Sequence, residues 1–292
     1  MNKINIFCFG FGQVAKNFIK KINAQNIEIT LTVTSRENTS KKVFDGIEYD
    51  SFQFSQDLFD KSLIKNLKSA NYILISIAPV NGEDIVIKNL QNIFKETQEV
   101  KWLTYLSATS VYGDHKGEWV DEKSTTKPTS STGKERLKVE ELWMKLAESQ
   151  SLPVQIFRLS GIYSHETNVL KRLKSGDAKI IKKENQFFSR IHVEDIAEVL
   201  YKSLGQFKTK EIYNITDDRP ASSEEVILYG SKLLNMEPPA IIKLESIESE
   251  MTRNFYKDSK RVNNKKMKEI FNYKLKYPTY IEGLNNIHNN TV

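Results

Sequence analysis

A chain of 292 residues that is 39% hydrophobic and 27% charged has the composition of a globular protein with a sizeable core, which excludes a disordered or fibrous one. Its single cysteine, Cys8, excludes a disulfide framework and makes a reduced, cytoplasmic setting the expectation; the longest apolar run, residues 72–80, is too short to cross a bilayer. The net charge of +6 is spread among 43 Lys+Arg and 37 Asp+Glu, and only SKRVNNKKMK, residues 259–268, is densely basic; it reads first as a solvated helix face, then as an anion site, and third as a nucleic-acid surface.

The chain opens on Ile4, Ile6, Phe7, Cys8 and Phe9, an almost unbroken apolar run that suits a strand buried on both faces of a parallel sheet. No leader is expected before it. Gly10, Gly12 and Ala15 follow as G-x-G-x-x-A, and Val14, Phe18, Ile19 and Ile22 then recur at helical spacing. Each residue type has a use there. Gly10 permits the sharp turn, Gly12 leaves backbone bare for a pyrophosphate, and Ala15 lets the helix lie close to the strand. The helix N-terminus supplies unpaired N–H groups and the positive end of the dipole. Gly10, Gly12, Gln13, Val14 and Ala15 are therefore the candidate pyrophosphate contacts, against the plainer reading of a glycine turn that only joins strand to helix.

Residues 27–34 (IEITLTVT) read as the second strand, ending at Ser35-Arg36. An acid at such a place binds the ribose 2′-OH of NAD, whereas an arginine accommodates a 2′-phosphate. Arg36, about 26 residues after Gly10, with Lys41 and Lys42 nearby, favours NADP over NAD. A short third strand is expected over residues 47–54 and a helical stripe at Leu58, Leu63, Ile64 and Leu67. The next buried strand runs from Tyr72 into Ser76, Ile77, Ala78 and Pro79. In a doubly wound sheet the ligand lies beyond the strands' carboxyl ends, so these four residues, and Ser107 at the end of the strand at 102–107, are expected to line the cofactor. Helices are expected at 84–94 and 132–150, with a long loop from Gly113 to Pro128 and a sixth strand at 154–159. The alternation predicts an α/β fold of the Rossmann type: a doubly wound parallel sheet.

After Gly161 the texture becomes less regular. Ala178–Ile181 and Phe187–Ile191 bracket Lys183-Glu184-Asn185 as a hairpin, and helices are expected at 193–204, 222–234, 265–271 and 280–287. The expected organisation is a dinucleotide-binding domain over 1–160 and a smaller substrate-side lobe over 161–292, with the chain free to cross back to the sheet.

GFGQVA, YLSATSVYGD (105–114), FRLSGIY (157–163) and RIHVEDIA (190–197) resemble the extended-type short-chain dehydrogenase/reductases. YNITDDRPAS, SKRVNNKKMKEIF and YPTYIEGL towards the end are similar to the atypical nucleoside-diphosphate-sugar epimerase/dehydratase group. The resemblance covers nearly the whole chain. It implies bound NADP or NAD, a C-terminal substrate lobe, a small anionic substrate such as a nucleotide-sugar, and pairing through the two long helices after the fourth and fifth strands as a homodimer option; with so short an apolar run, no membrane partner is expected.

The same resemblance fails at the chemistry. The family's Ser or Thr falls on Ala108 here, and its Tyr-x-x-x-Lys falls on Thr132 and Arg136; the fourth position, usually Asn, corresponds to Asp84. The tyrosine works because a lysine and the cofactor lower its pKa. A threonine hydroxyl is far less acidic, and an arginine holds a hydroxyl or phosphate but does not exchange a proton. Asp84, Thr109, Thr132 and Arg136 are the catalytic candidates that remain, with Ser110, Asp114 and His115 on the same loop. Tyr112, Arg190 and His192 are the candidate substrate contacts, Arg190 because a guanidinium binds an anion bidentately; the plainer reading of Arg190 is an ion pair with Glu194 or Asp195. Two functions stand: an NAD(P)-dependent epimerase, dehydratase or reductase with a degenerate site, and a catalytically silent NADP-binding sensor.

Overall fold

Strand β1 (Lys3–Phe9) is buried from Ile6 to Phe9 because sheet neighbours flank it and helices cover it, as its unbroken apolar run demands. In the computed structural model, which describes residues 3–97 and 99–290, it pairs parallel with β2 (Glu28–Ser35) on one side and with β5 (Tyr72–Ile75) on the other. Between β1 and β2 lies α1 (Gln13–Asn23), whose Val14, Ala15, Phe18, Ile19 and Ile22 form one buried stripe. β2 pairs parallel with β4 (Ile47–Gln53), and β5 with β6 (Trp102–Ala108).

The sheet has eight strands in the order β12-β8-β6-β5-β1-β2-β4-β3, where β8 is Val154–Leu159 and β12 is Glu211–Ile215. β3 (Ser40–Phe44) was not anticipated from the sequence. It runs antiparallel to β4 through a tight turn at Asp45 (φ 53°) and Gly46 (φ 77°), and forms one border of the sheet. A hairpin thus stands where a helix would otherwise follow β2.

α2 (Leu63–Lys68), α3 (Ile85–Leu90), α4 (Ser131–Gln150) and α6 (Val193–Ser203) flank the sheet in sequence. α3 is shorter than the helix expected over 84–94. It starts after Asp84 and gives way to one 3-10 turn, Ile93–Glu96. A core of Phe7, Phe9, Ile73, Leu103, Trp143 and Ile156 lies between the sheet and its helices.

Two compact units divide the chain. One comprises Met1–Ala108, Lys134–Arg158 and Ile196–Tyr213; the other comprises Thr109–Gly133, Leu159–Asp195 and Asn214–Val292. Each is assembled from three stretches of chain, so neither is continuous in sequence. Among the described residues of the second unit the strand pairs are short: β7 (Trp119–Val120) pairs with β14 (Arg261–Val262), β9 (Gly161–Tyr163) with β11 (Arg190–His192), and β10 (Ile180–Ile181) with β13 (Ile241–Ile242), all parallel. The hairpin expected across 178–191 is therefore not formed, because each of its arms pairs with a distant segment instead. Around these strands lie α5 (Val169–Lys174), α7 (Ser223–Leu233), α8 (Glu250–Phe255), α9 (Lys265–Phe271) and α10 (Tyr280–Asn289). Ser222 caps α7 through the Glu225 amide, and a Thr279–Glu282 capping box starts α10. Tyr163, Leu170, Val226, Tyr280 and Leu284 form this unit's core.

Candidate cofactor and substrate sites

The turn after β1 has the features a pyrophosphate needs. Gly10 sits at φ +85°, and a Cβ there would lie 3.1 Å from Ile77 Cγ1, so the position admits only glycine without strain. Its amide donates to Thr34 Oγ1 at 2.9 Å. Gly12 caps α1 in an extended conformation (φ −83°, ψ −169°), and a Cβ added to it would meet nothing within 4 Å. α1 has no side-chain cap and no acid in its first turn, and its first backbone bond runs from the Lys16 amide to Gly12 O. The amides of Val14 and Ala15 therefore lack helical acceptors, and the positive end of the helix is not offset by an acidic side chain of its own. An open space faces this bare backbone, which is what a diphosphate bridge fits.

Ser76 continues from β5, its amide donating to Phe9 O at 2.9 Å, so that Ser76 and Ile77 abut Gly10 while Ala78 is exposed and Pro79 half-buried. At the end of β2, Ser35 Oγ lies 3.2 Å from Ser51 Oγ, and Arg36 is exposed immediately beyond it. Of the two lysines expected to add charge there, Lys42 is paired with Glu37, and Lys41 is exposed. Thr34, buried and bonded to the turn itself, belongs to this candidate site and was passed over by the sequence reading. Its signal was a hydroxyl-bearing β-branched residue at the last buried position of the strand.

Ser107 is not an open cofactor contact. It is buried, and its hydroxyl donates to Glu140 Oε1 at 2.5 Å. Glu140 in turn receives Arg158 at Oε2 (Nη2, 2.7 Å) and at Oε1 (Nε, 3.1 Å), so a bidentate ion pair with both partners about 4% exposed or less fixes the end of β6 from α4 and β8. Arg136, half-buried on α4, donates to Leu106 O at 3.1 Å. Asp84 is built as a helix cap: Oδ1 accepts from the Val86 and Ile87 amides at 2.8 and 2.9 Å, and Oδ2 accepts from Trp143 Nε1 at 2.9 Å. Burial raises its carboxyl pKa despite those three donors. All three hydrogen bonds organise the fold, and the raised pKa is the one feature of its position that suits a general base.

The other candidates fall in the second unit. Thr109 begins the 3-10 turn Thr109–Tyr112, and Ser110 O lies close against Gly133. Thr132 is exposed, its Oγ1 3.3 Å from Ser130 Oγ. Tyr112 is fully buried, its hydroxyl donating to Asn214 Oδ1 at 2.7 Å, which removes it from the substrate contacts expected of it. Asp114 accepts from the Ser259 and Lys116 amides, and His115 Nε2 lies 3.2 Å from Tyr112 O and 3.1 Å from Thr125 O. These loop residues brace the loop.

His192 is likewise withdrawn from any ligand. It is 0% exposed, its ring packs 4.1 Å from that of Tyr277, and Nδ1 accepts from the Glu194 amide at 3.3 Å. Burial, with a smaller opposing pull from Glu194, pushes its pKa down to about 4, so the ring is neutral near pH 7. Arg190 is placed differently. It makes no ion pair with Glu194, which binds Lys276, or with Asp195, which accepts from Tyr273 Oη and the Lys276 and Tyr277 amides. Instead Nη1 donates to Phe188 O and Ala221 O, each at 2.9 Å, and the side chain lines a cavity of ≈ 880 Å³ with Arg172 and Lys179. Sequence reasoning missed Arg172 and Lys179, because nothing in their local pattern distinguishes them from surface residues of a basic helix and loop.

The basic patch at 259–268 is largely absorbed by the fold. Ser259 is buried, Arg261 lies over the Phe187 ring at 3.8 Å, and Lys268 pairs with Asp218; only its end is on a helix, α9. No helix among the described residues is long and apolar enough to cross a membrane, and no group of three or more His, Cys, Asp or Glu among them is placed to hold a metal ion.

Known structures share this architecture. A functionally unknown conserved protein from Silicibacter pomeroyi DSS is 32% identical, with 99% of each chain covered and a TM-score of 0.86. A dTDP-glucose 4,6-dehydratase from Bacillus anthracis str. Ames, in complex with NAD, is 18% identical over 98% of this chain and 96% of its own (TM-score 0.79). A UDP-N-acetylglucosamine 4-epimerase from Bacillus cereus is 17% identical over 98% of both (TM-score 0.76). No curated protein matches the chain. The glycine turn, the eight-stranded sheet and a match to the family model over residues 10–216 converge, and the chain belongs to the NAD dependent epimerase/dehydratase family.

Proposed function

We infer that the protein binds NADP at the Gly10–Ala15 turn and acts on a small anionic metabolite, of which a nucleotide-sugar is one kind, through hydride chemistry without the usual tyrosine–lysine pair. The observation that carries the binding half is Gly12: extended backbone, open space where its side chain would be, and an uncapped helix end behind it. Ser76, Ile77 and the half-buried Pro79 support the same crevice. When bound, the nicotinamide supplies a hydride acceptor or donor. The chain's own part is to hold the dinucleotide by backbone amides, to receive a 2′-phosphate at Arg36, and to hold the substrate's anion at Arg190. Arg36 favours NADP because it is a charged side chain at the end of β2 with no acid in the ribose-reading place.

The second reading, a silent NADP-binding sensor, is favoured by a specific observation. Ala108, Thr132 and Arg136 stand where the resemblance places the proton-transfer set, and two of the groups that could stand in for it, Ser107 and Asp84, are engaged in structural hydrogen bonds. Titration calorimetry tests the shared premise: NADP is expected to bind at least tenfold tighter than NAD, and Arg36→Asp to reverse the order. Equal affinities in the parent protein would remove the NADP assignment. Absorbance at the nicotinamide band with a panel of sugar nucleotides and simple carbonyls separates the readings, since turnover of any member supports the enzyme and none across the panel supports the sensor.

A further inference from the structure

The cavity beside Arg190 has a smaller companion of ≈ 180 Å³, and Ile162, Tyr163, Arg172, Arg190 and Ser223 line both. The walls that are not shared differ in kind. The larger cavity adds Lys179, the stacked pair Phe188 and Phe255, and two acids, Asp177 and Glu248. The smaller adds the aliphatic side chains of Val169, Val226, Ile227 and Leu284.

Three of the smaller cavity's neutral polar side chains, Tyr280, Tyr163 and Asn168, have structural partners. Tyr280 Oη donates to Glu225 Oε1 at 2.8 Å and Tyr163 Oη to Thr279 O at 3.4 Å. Asn168 donates to Ser164 O at 2.9 Å and accepts from the Lys171 amide at 3.0 Å. Away from the shared Arg172–Arg190 border, a polar ligand group placed among Val169, Val226, Ile227 and Leu284 would lose water with few donors or acceptors to replace it. Arg190 is the reverse case. A guanidinium has five N–H groups, and only Nη1 is engaged, so among the described residues Nε and Nη2 remain for a ligand. Three cations, Arg190, Arg172 and Lys179, and two acids line the larger cavity, and the buried Asp217 carboxyl interacts with Arg190 from behind that lining.

We propose that the two cavities form one substrate site divided at Arg190, in which the larger chamber holds an anionic group and the smaller an uncharged, apolar substituent about the size of a benzene ring. The size follows from volume: an apolar cavity of roughly 150 Å³ takes benzene. The substrate class is then an anion carrying a compact apolar group. This rests on the reading of Arg190 as the anion contact, and its test separates the two.

Calorimetry on the full chain with methyl phosphate and phenyl phosphate reads both chambers. Phenyl phosphate is expected to bind at least tenfold tighter than methyl phosphate. Val226→Phe, which fills the smaller chamber, is expected to abolish that advantage while leaving methyl phosphate unchanged, with Val226→Met giving a partial loss should the larger substitution prevent cooperative melting. Arg190→Gln is expected to weaken both ligands at least tenfold. An advantage that is absent, or that survives Val226→Phe, overturns the apolar chamber and leaves the anion site standing. Binding of both esters that is indifferent to Arg190→Gln overturns the anion reading itself.

Discussion

Burial decides the protonation of His192, and with it a part of the protein's acid sensitivity. Its pKa is about 4 in the folded protein against an ordinary value of 6.5, so between those values the unfolded chain binds more protons than the folded one. The stabilising contribution of the neutral ring is complete above pH 6.5 and is lost as the pH falls towards 4, to the extent of about 3 kcal/mol. Urea unfolding between pH 7 and 4 is expected to show that fall, and His192→Phe to flatten it; a variant with the parent's slope would place the acid sensitivity elsewhere. Single residues also mark how far the sequence could be read. Gly10, Gly12 and Ala15 announce a backbone geometry, which is a local property of the chain. Asp84 and Ser107 announce only a carboxylate and a hydroxyl. Whether such a group is a cap, a brace or a proton carrier depends on Trp143 and Glu140, partners that local spacing does not reveal.

Among the elements, the β3–β4 hairpin shows what pattern reading overlooked. Asp45-Gly46 between two alternating runs is a strong turn signal, since both residues must take positive φ for the strands' twist to match. The expectation of a lone strand over residues 47–54 attended to the second run and passed over the first, which is mostly exposed and lysine-rich. Gly46→Val forces a β-branched residue to φ 77° and is expected to cost more than about 1 kcal/mol, with faster amide exchange confined to β3 and β4. Unchanged exchange there would mean that the turn does not hold the hairpin. The hairpin expected at 178–191 fails for the opposite reason. Its arms have strand-like texture, but their partners are β9 and β13, and short parallel pairings between distant segments leave no local trace in sequence.

At the scale of the whole molecule, a ligand that binds only the folded chain adds to its stability by mass action. NADP at a hundred times its dissociation constant is expected to add about 2.7 kcal/mol, read as a rise in melting temperature. Gly12→Val is expected to melt close to the parent without ligand, because any residue adopts the backbone angles at that position and open space receives the side chain, yet to gain nothing from NADP. A variant that NADP still stabilises in full would move the cofactor off this turn. The alternation of strands and helices made the sheet legible, because each buried strand carries its own apolar run. The composition of the two units was not, since three stretches of chain assemble each and the return of residues 196–213 to the first depends on contacts rather than on any change in texture.

The border strand β3 has a consequence for the protein's behaviour in concentrated solution. A terminal strand presents hydrogen-bonding groups to any other extended chain, and Val43, 67% exposed, adds adhesive surface. Lys41 stands exposed on that rim and Lys42 beside it is paired with Glu37, and charge on a border strand opposes edge-to-edge pairing. Acetylation that neutralised both would turn a guarded margin into a template for edge-to-edge stacking of copies.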